Sequence, residues 1–220
     1  MYDQFYRPPT RSAFPPAVKN LLIINALVFL GQQSDRYETA LLQWFALWPI
    51  TSYDIGVVFF PWQVVSYSFL HGGTPHLFFN LFALWMFGVG VENTWGSRRF
   101  VIFYFVCVIG AGLTQLTVAT IAAASGSVYP TVGASGGVFG VLLAFAMLFP
   151  NHRIYLYFAI PIPAKWFVIG YGAMELFAGI TNTQSGVAHF AHLGGMAAGF
   201  LLIQYWRGRL PLQPRRRMYW

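Results

Sequence analysis

Gly133-Ala134-Ser135-Gly136-Gly137-Val138-Phe139-Gly140 opens a run that stays apolar as far as Phe149 and stops at Pro150. A serine flanked by glycines at the start of such a run points to a nucleophile at a helix N-terminus rather than to a packing residue. From Ser135 to Phe149 the run makes about 22 Å of helix, against a hydrocarbon core of about 30 Å in a bilayer. If the run spans, Ser135 lies below the membrane surface. The glycine-rich segment before it, Ser125 to Ala134, then dips inward as irregular backbone. Such backbone is tolerated only where protein or a water-filled cavity satisfies its amides, so a hydrated cavity around Ser135 is expected.

The composition supports a bilayer as solvent. Of the 220 residues, 57% are hydrophobic and 9% charged, and the mean hydropathy is +0.55, poor values for a soluble protein. Six apolar stretches, at about 17–31, 76–94, 99–123, 135–149, 164–182 and 188–206, are bounded by charges, prolines or glycines and are candidate spans. The expected fold is an all-α membrane protein, a bundle of six transmembrane helices. The net charge of +7 fits membrane orientation better than nucleic-acid binding. With the N-terminus inside, every Lys and Arg except Arg36 falls in a cytoplasmic segment, from Arg7, Arg11 and Lys19 to the tail at Arg215, Arg216 and Arg217.

Three parts are expected: a proline-rich cytoplasmic lead-in at 1–16, the bundle at 17–206, and a basic cytoplasmic tail at 207–220. No cleavable signal peptide is visible, so the stretch near Ala17 reads as a retained first span. The single cysteine, Cys107, excludes an intrachain disulfide and reads as a small apolar residue inside the third span. The long external connection from Gln32 to Pro75 contains Trp44, Trp48 and Phe59-Phe60-Pro61-Trp62. It is expected to lie partly in the outer leaflet with its tryptophans at the interface.

Polar residues inside spans are costly and are functional candidates by default. Here they concentrate in three spans. His76 and Asn80 share one face of the second, one turn apart; His189 and His192 begin the sixth. Gly136 with Gly140, and Gly195 with Gly199, make small-residue faces that permit close backbone approach. If those faces pack together, His192 reaches the Ser135 hydroxyl as its general base. Asn80, His76 and the Ser135 backbone amide, which lies in a first helical turn without an intrahelical partner, can supply donors to an oxyanion.

Three motifs, His76-Leu77-Phe78-Phe79-Asn80, Gly133-Ala134-Ser135-Gly136, and Ala191-His192-Leu193-Gly194-Gly195 with Gly199, together resemble the rhomboid intramembrane serine proteases. The likeness is to the bacterial six-span type, and it runs from about Ala17 to Trp206. It implies a serine and histidine dyad without a third acidic member, with Ser135 as nucleophile, His192 as base, and Asn80 and His76 stabilising the oxyanion. Gly133, Gly136, Phe139, Gly195, Gly199 and Trp62 would support substrate or packing. The implied partners are the lipid bilayer and the transmembrane segments of other membrane proteins, with no nucleic acid, no cofactor and no metal. The implied location is a prokaryotic plasma membrane.

Pro61-Trp62-Gln63 followed by His71 resembles the family's first external loop, which lies in the membrane plane, and Glu92 with Gly96 resembles the polar end of its second span. Gln63 stands where many members carry arginine, and Phe139 where many carry tyrosine. Phe139 can still stack on the His192 ring. Access would be lateral, between spans, with the Trp62 loop and Thr183 to Val187 as candidate gates.

Other readings have their own signatures. Gly133-Ala134-Ser135-Gly136-Gly137 also fits the nucleophile elbow of soluble α/β-hydrolases, but only Glu175 lies between Ser135 and His192, inside an apolar span. Histidines 71, 76, 189 and 192 could bind metal, yet no His-Glu-x-x-His pattern occurs. His189 reads as a hydrogen-bonding neighbour of the cavity, and Glu175 as a satisfied polar contact between helices. A catalytically silent relative that binds membrane proteins would typically lack the serine or the histidine. A transporter would show two related halves with broken helices, which are not evident.

Overall fold

The structure, a computed structural model, describes residues 12–50, 56–156, 159–181, 188–214 and 217–218. Most of the lead-in, the candidate gate at 183–187 and tail residues Arg215 and Arg216 lie outside the described residues. Among the described residues 70% are helical, in eight α-helices. In order these are α1 (Pro16–Gln32), α2 (Asp35–Phe45), α3 (Gln63–Ser66), α4 (Thr74–Trp95), α5 (Ser97–Ala124), α6 (Ser135–Leu148), α7 (Ala164–Thr181) and α8 (His189–Trp206). Helices α1 and α4 to α8 coincide with the six apolar stretches to within about two residues at either end. On length and composition alone, two of them, α4 and α5, suffice to cross a membrane; α1 and α6 are shorter apolar helices.

Two departures from a plain helical bundle stand out. An antiparallel hairpin, β1 (Arg153–Leu156) and β2 (Ile160–Pro163), joins α6 to α7, with Ile154 opposite Ile162. Pro161 and Pro163 cannot supply helical amide donors, and the isoleucines favour extended backbone, so the expectation of an all-α chain is corrected here. The connection from Gln32 to Pro75 is not continuous loop either. It holds α2, α3 and a 3-10 turn at Tyr67–Phe69.

Helix α5 forms the centre. Phe100, Phe103, Tyr104, Cys107 and Val108 are fully buried along it, where α6 and α8 pack. A single carboxylate ties three helices together at the opposite end from Ser135. Glu92 of α4 accepts the amides of Ala17 (2.8 Å) and Val18 (2.7 Å) at the start of α1 and the Ser97 hydroxyl (2.6 Å) at the start of α5. This supplies the acceptors, and the negative charge, that a helix N-terminus lacks. Gly96, at φ +80°, makes the tight turn between α4 and α5. The outward faces are apolar: Leu27, Phe79, Ile121, Phe177 and Ile180 are all more than half exposed.

Candidate active site

Ser135 is the first residue of α6, and the turn that delivers it admits only glycine at position 133. Gly133 has φ +126°, and a Cβ there would stand 2.7 Å from His76 Cε1 and 2.8 Å from His76 Nε2. Its amide donates to the Tyr67 carbonyl at 3.0 Å, and two residues earlier Thr131 exchanges backbone hydrogen bonds with Leu47. The connecting strand is thereby pinned to the loop above it. The first backbone bond of α6 runs from Val138 to the Ala134 carbonyl, so the Ser135 amide precedes the helical ladder.

Behind Ser135, α6 is pressed against α5 and α8. A Cβ added at Gly195 would collide with the Gly136 carbonyl, and one at Gly136 with Ala111. Gly140 and Gly199 both face the Cys107 sulfur, which is fully buried between them. This approach sets α8 at the height where His192 Nε2 lies 2.8 Å from Ser135 Oγ. Phe139, one turn into α6, stacks on the His192 ring at 4.1 Å between centroids and 6° between planes.

The other side of the imidazole meets a carboxylate. Glu175 Oε2, on α7, lies 2.8 Å from His192 Nδ1 and 2.7 Å from His189 Nδ1, and all three residues are buried. A carboxylate accepts, so His192 carries its proton on Nδ1 and presents Nε2 as the acceptor for the serine hydroxyl. A serine and histidine pair without an acidic neighbour is therefore not what the fold contains. The sequence marks Glu175 only as an expensive mid-span charge; that signal was the one available, and it does not name the partner.

His76 and Asn80 lie on the α4 side. The Gly72 amide donates to His76 Nδ1 at 3.2 Å, and Asn80 Nδ2 donates to the His76 carbonyl at 2.9 Å, leaving the second Nδ2 hydrogen available. Both residues line, with Ser135, Phe139, Tyr171 and His192, a cavity of about 2350 Å³ between α4, α6 and α7. Next to His76, the ring of His71 is buried at 5.1 Å between centroids, and burial first and the His76 ring second push it down to about 4.

Trp62 does not reach this cavity. Its ring stacks on Phe60 at 4.5 Å and its Nε1–H donates to the Trp44 carbonyl at 2.9 Å, so it braces the loop. Gln63, fully buried, holds that loop from within. Its Oε1 accepts the Trp48 amide at 3.3 Å and its Nε2 donates toward the carbonyls of Gln43 and Trp44 at 3.3 and 3.4 Å. Nothing in the composition marks Gln63 for this role, because its partners are backbone groups of an irregular loop.

Glu175, His189 and His192 offer three donor atoms close enough to hold a metal ion. Bonds of about 2.0 Å to a tetrahedral zinc place its donors about 3.3 Å apart. The 2.7 and 2.8 Å separations are those of hydrogen bonds instead.

Residues 59–209 match the model of the Rhomboid domain; the chain belongs to the rhomboid family, whose members are membrane proteins. It is 32% identical over 157 residues to "Rhomboid protein 1, mitochondrial" of Saccharomyces cerevisiae, covering 71% of this chain and 45% of that one. With "Rhomboid protease GluP" of Bacillus subtilis it shares 33% over 144 residues, 63% of this chain and 25% of the other. With "Presenilin-associated rhomboid-like protein, mitochondrial" of Rattus norvegicus it shares 27% over 205 residues, 89% of this chain and 51% of the other. The chain thus spans about half or less of the length of these relatives. Since two of the three are mitochondrial by name, the comparisons do not favour a prokaryotic plasma membrane.

Proposed function

We propose that the chain is an intramembrane serine endopeptidase that cuts transmembrane segments of other membrane proteins. The observation that carries this reading is the 2.8 Å contact from His192 Nε2 to Ser135 Oγ, beneath a glycine turn and beside a large cavity. Ser135 Oγ attacks the peptide carbonyl while His192 Nε2 takes its proton. The carbonyl electron pair moves onto oxygen, facing the Ser135 amide, the free Asn80 hydrogen and His76. On collapse, His192 returns the proton to the leaving amine, and water then hydrolyses the acyl-serine by the same route.

In this reading α1 and α4 to α8 are six spans, covering 17–206, and both termini face the cytoplasmic side or its equivalent. The apolar side chains exposed on their outer faces support lipid contact, because a water-facing surface would carry a large hydrophobic cost. The substrate helix enters between α4 and α7, which flank the cavity. In a prokaryote the residence would be the plasma membrane, in line with the placement of basic residues.

The test is cleavage of single-span reporter proteins by the purified chain in lipid nanodiscs. Ser135→Ala and His192→Ala are each expected to lower the rate by about 10³-fold or more, and Ser135→Ala to abolish labelling by a fluorophosphonate. Cleavage at the parent rate by both variants would refute the reading. A parent chain that labels no probe and cuts none of a broad reporter set would favour a silent binding protein.

A further inference from the structure

We propose that Glu175 is a positioning residue for this site: its Oε2 fixes His192 in the tautomer that leaves Nε2 free, and it balances the imidazolium formed when the serine proton arrives. The inference rests on the proteolytic reading above and adds an acidic member to it. Three observations meet at this carboxylate. It is 4% exposed, so its charge is not there for solubility. It comes from α7, while the imidazole comes from α8 and the hydroxyl from α6, so three helices must keep register for the chain Glu175, His192, Ser135 to exist. And the same oxygen takes a second N–H, from His189 at 2.7 Å.

That second bond separates the two roles a buried carboxylate can have. His189 alone would satisfy Glu175 as a contact between α7 and α8. The bond to His192 at 2.8 Å does more, because it settles which ring nitrogen carries the proton. A neutral imidazole with its hydrogen on Nε2 would point a donor at Ser135 and could not remove the hydroxyl proton. The His189 bond also holds Oε2 still, so that the His192 ring is clamped by the carboxylate at one edge and by the Phe139 face. In the reaction the proton leaves Ser135 Oγ for His192 Nε2, the Oγ electron pair forms the bond to the carbonyl carbon, and the positive charge on the ring faces the Glu175 carboxylate. Glu175 gains no proton at any stage.

The titratable groups facing this imidazole are few. Ser135 comes from α6, Glu175 with Tyr171 beside it from α7, His189 from α8, and His76 approaches from α4. Among the described residues that face it, only Glu175 is a carboxylate. Its replacement by glutamine keeps volume and an acceptor oxygen and removes the charge. Glu175→Gln is expected to lower kcat by about 10- to 1000-fold with KM within about twofold, and to move the acid limb of kcat/KM to lower pH by about one unit, because the imidazolium loses its counter-charge.

A loss of packing alone would lower the plateau and leave that limb in place, which would overturn the proposal. So would parent activity that is abolished by a chelator and restored by zinc. A second measurement needs no cleavage and no stable Glu175 variant. Nitrogen NMR of the parent chain with labelled histidine, His192 being assigned by its absence from His192→Gln, should show neutral His192 protonated on Nδ1; protonation on Nε2 would overturn the proposal. If the parent cuts nothing, proteolysis is refuted and this spectrum judges Glu175 on its own. If Ser135→Ala is dead while Glu175→Gln matches the parent in rate and pH profile, the positioning role fails and proteolysis stands.

Discussion

Helix α6 has two sides built to opposite ends. Toward α5 and α8 it is Gly136, Gly140 and buried backbone, with Gly195, Gly199 and Cys107 pressed against it. Toward α4 and α7 it is Val138, Phe139, Leu142 and Phe145 lining a wide cavity. The closed side sets the Ser135 to His192 distance, since a hydrogen bond of 2.8 Å tolerates only a few tenths of an ångström of slip. Under the proposed reaction the open side is where a substrate helix would enter, which no close-packed seam could allow. If the proposed reaction holds, keeping two atoms in register and admitting a chain from the side fall on opposite faces of one short helix.

The closed side is the easier to break. At Gly195 an added methyl meets the carbonyl of Gly136, and neither backbone can turn away as a flexible side chain would. Gly195→Ala should cost about 3 kcal/mol or more in stability, at the upper end for overpacking, and should lower cleavage at least a hundredfold in whatever protein still folds. Thermal unfolding in detergent and reporter cleavage check the two halves of this statement. Survival of both at parent levels would mean that the α6 and α8 seam does not set the site.

Much of the closed side is visible in the sequence, and little of the rest. The small-residue faces, the helix limits and the pairing of Ser135 with His192 follow from residue types at helical spacing, because glycines on one face permit close contact whatever surrounds them. The Glu175 contact does not follow, since it depends on the rotation of α7 relative to α8, and no periodicity in either helix encodes that. Gln63 is hidden for a similar reason: its partners are backbone groups 5 to 20 residues away in an irregular loop, and carbonyls leave no mark on composition. The hairpin after α6 is legible only in Pro161 and Pro163, which rule out helix without announcing a strand.

Between the loop and the open side sits His71, and acid should reveal it. Its ordinary value of 6.5 is lowered to about 4 in the fold, so the folded protein holds the ring neutral where the unfolded chain would protonate it. The sign follows directly. Above about pH 6.5 the neutral ring costs nothing in either state; as pH falls toward 4 the unfolded chain takes up a proton that the fold refuses, and stability drops. A gap of that size is worth about 3 kcal/mol in all. The melting temperature in detergent should therefore fall between pH 6.5 and 4, and His71→Phe should flatten that slope; an unchanged slope would show that other groups carry the acid sensitivity.

The smallest effect tests the comparison from its far end. Gly170 lies on the exposed face of α7, and a Cβ there meets nothing within 4 Å, whereas every glycine of the α6 and α8 seam named above would collide. If spacing at the seam, rather than glycine's flexibility, is what these residues provide, Gly170→Ala should behave in the opposite sense to Gly195→Ala. It should stabilise by about 0.5 to 1 kcal/mol through the restricted unfolded chain and the better helix former, with cleavage unchanged. A loss of cleavage at Gly170→Ala with stability intact would instead assign α7 a bending motion during substrate entry, and the division of α6 into a fixed and an open side would then have to include a moving wall.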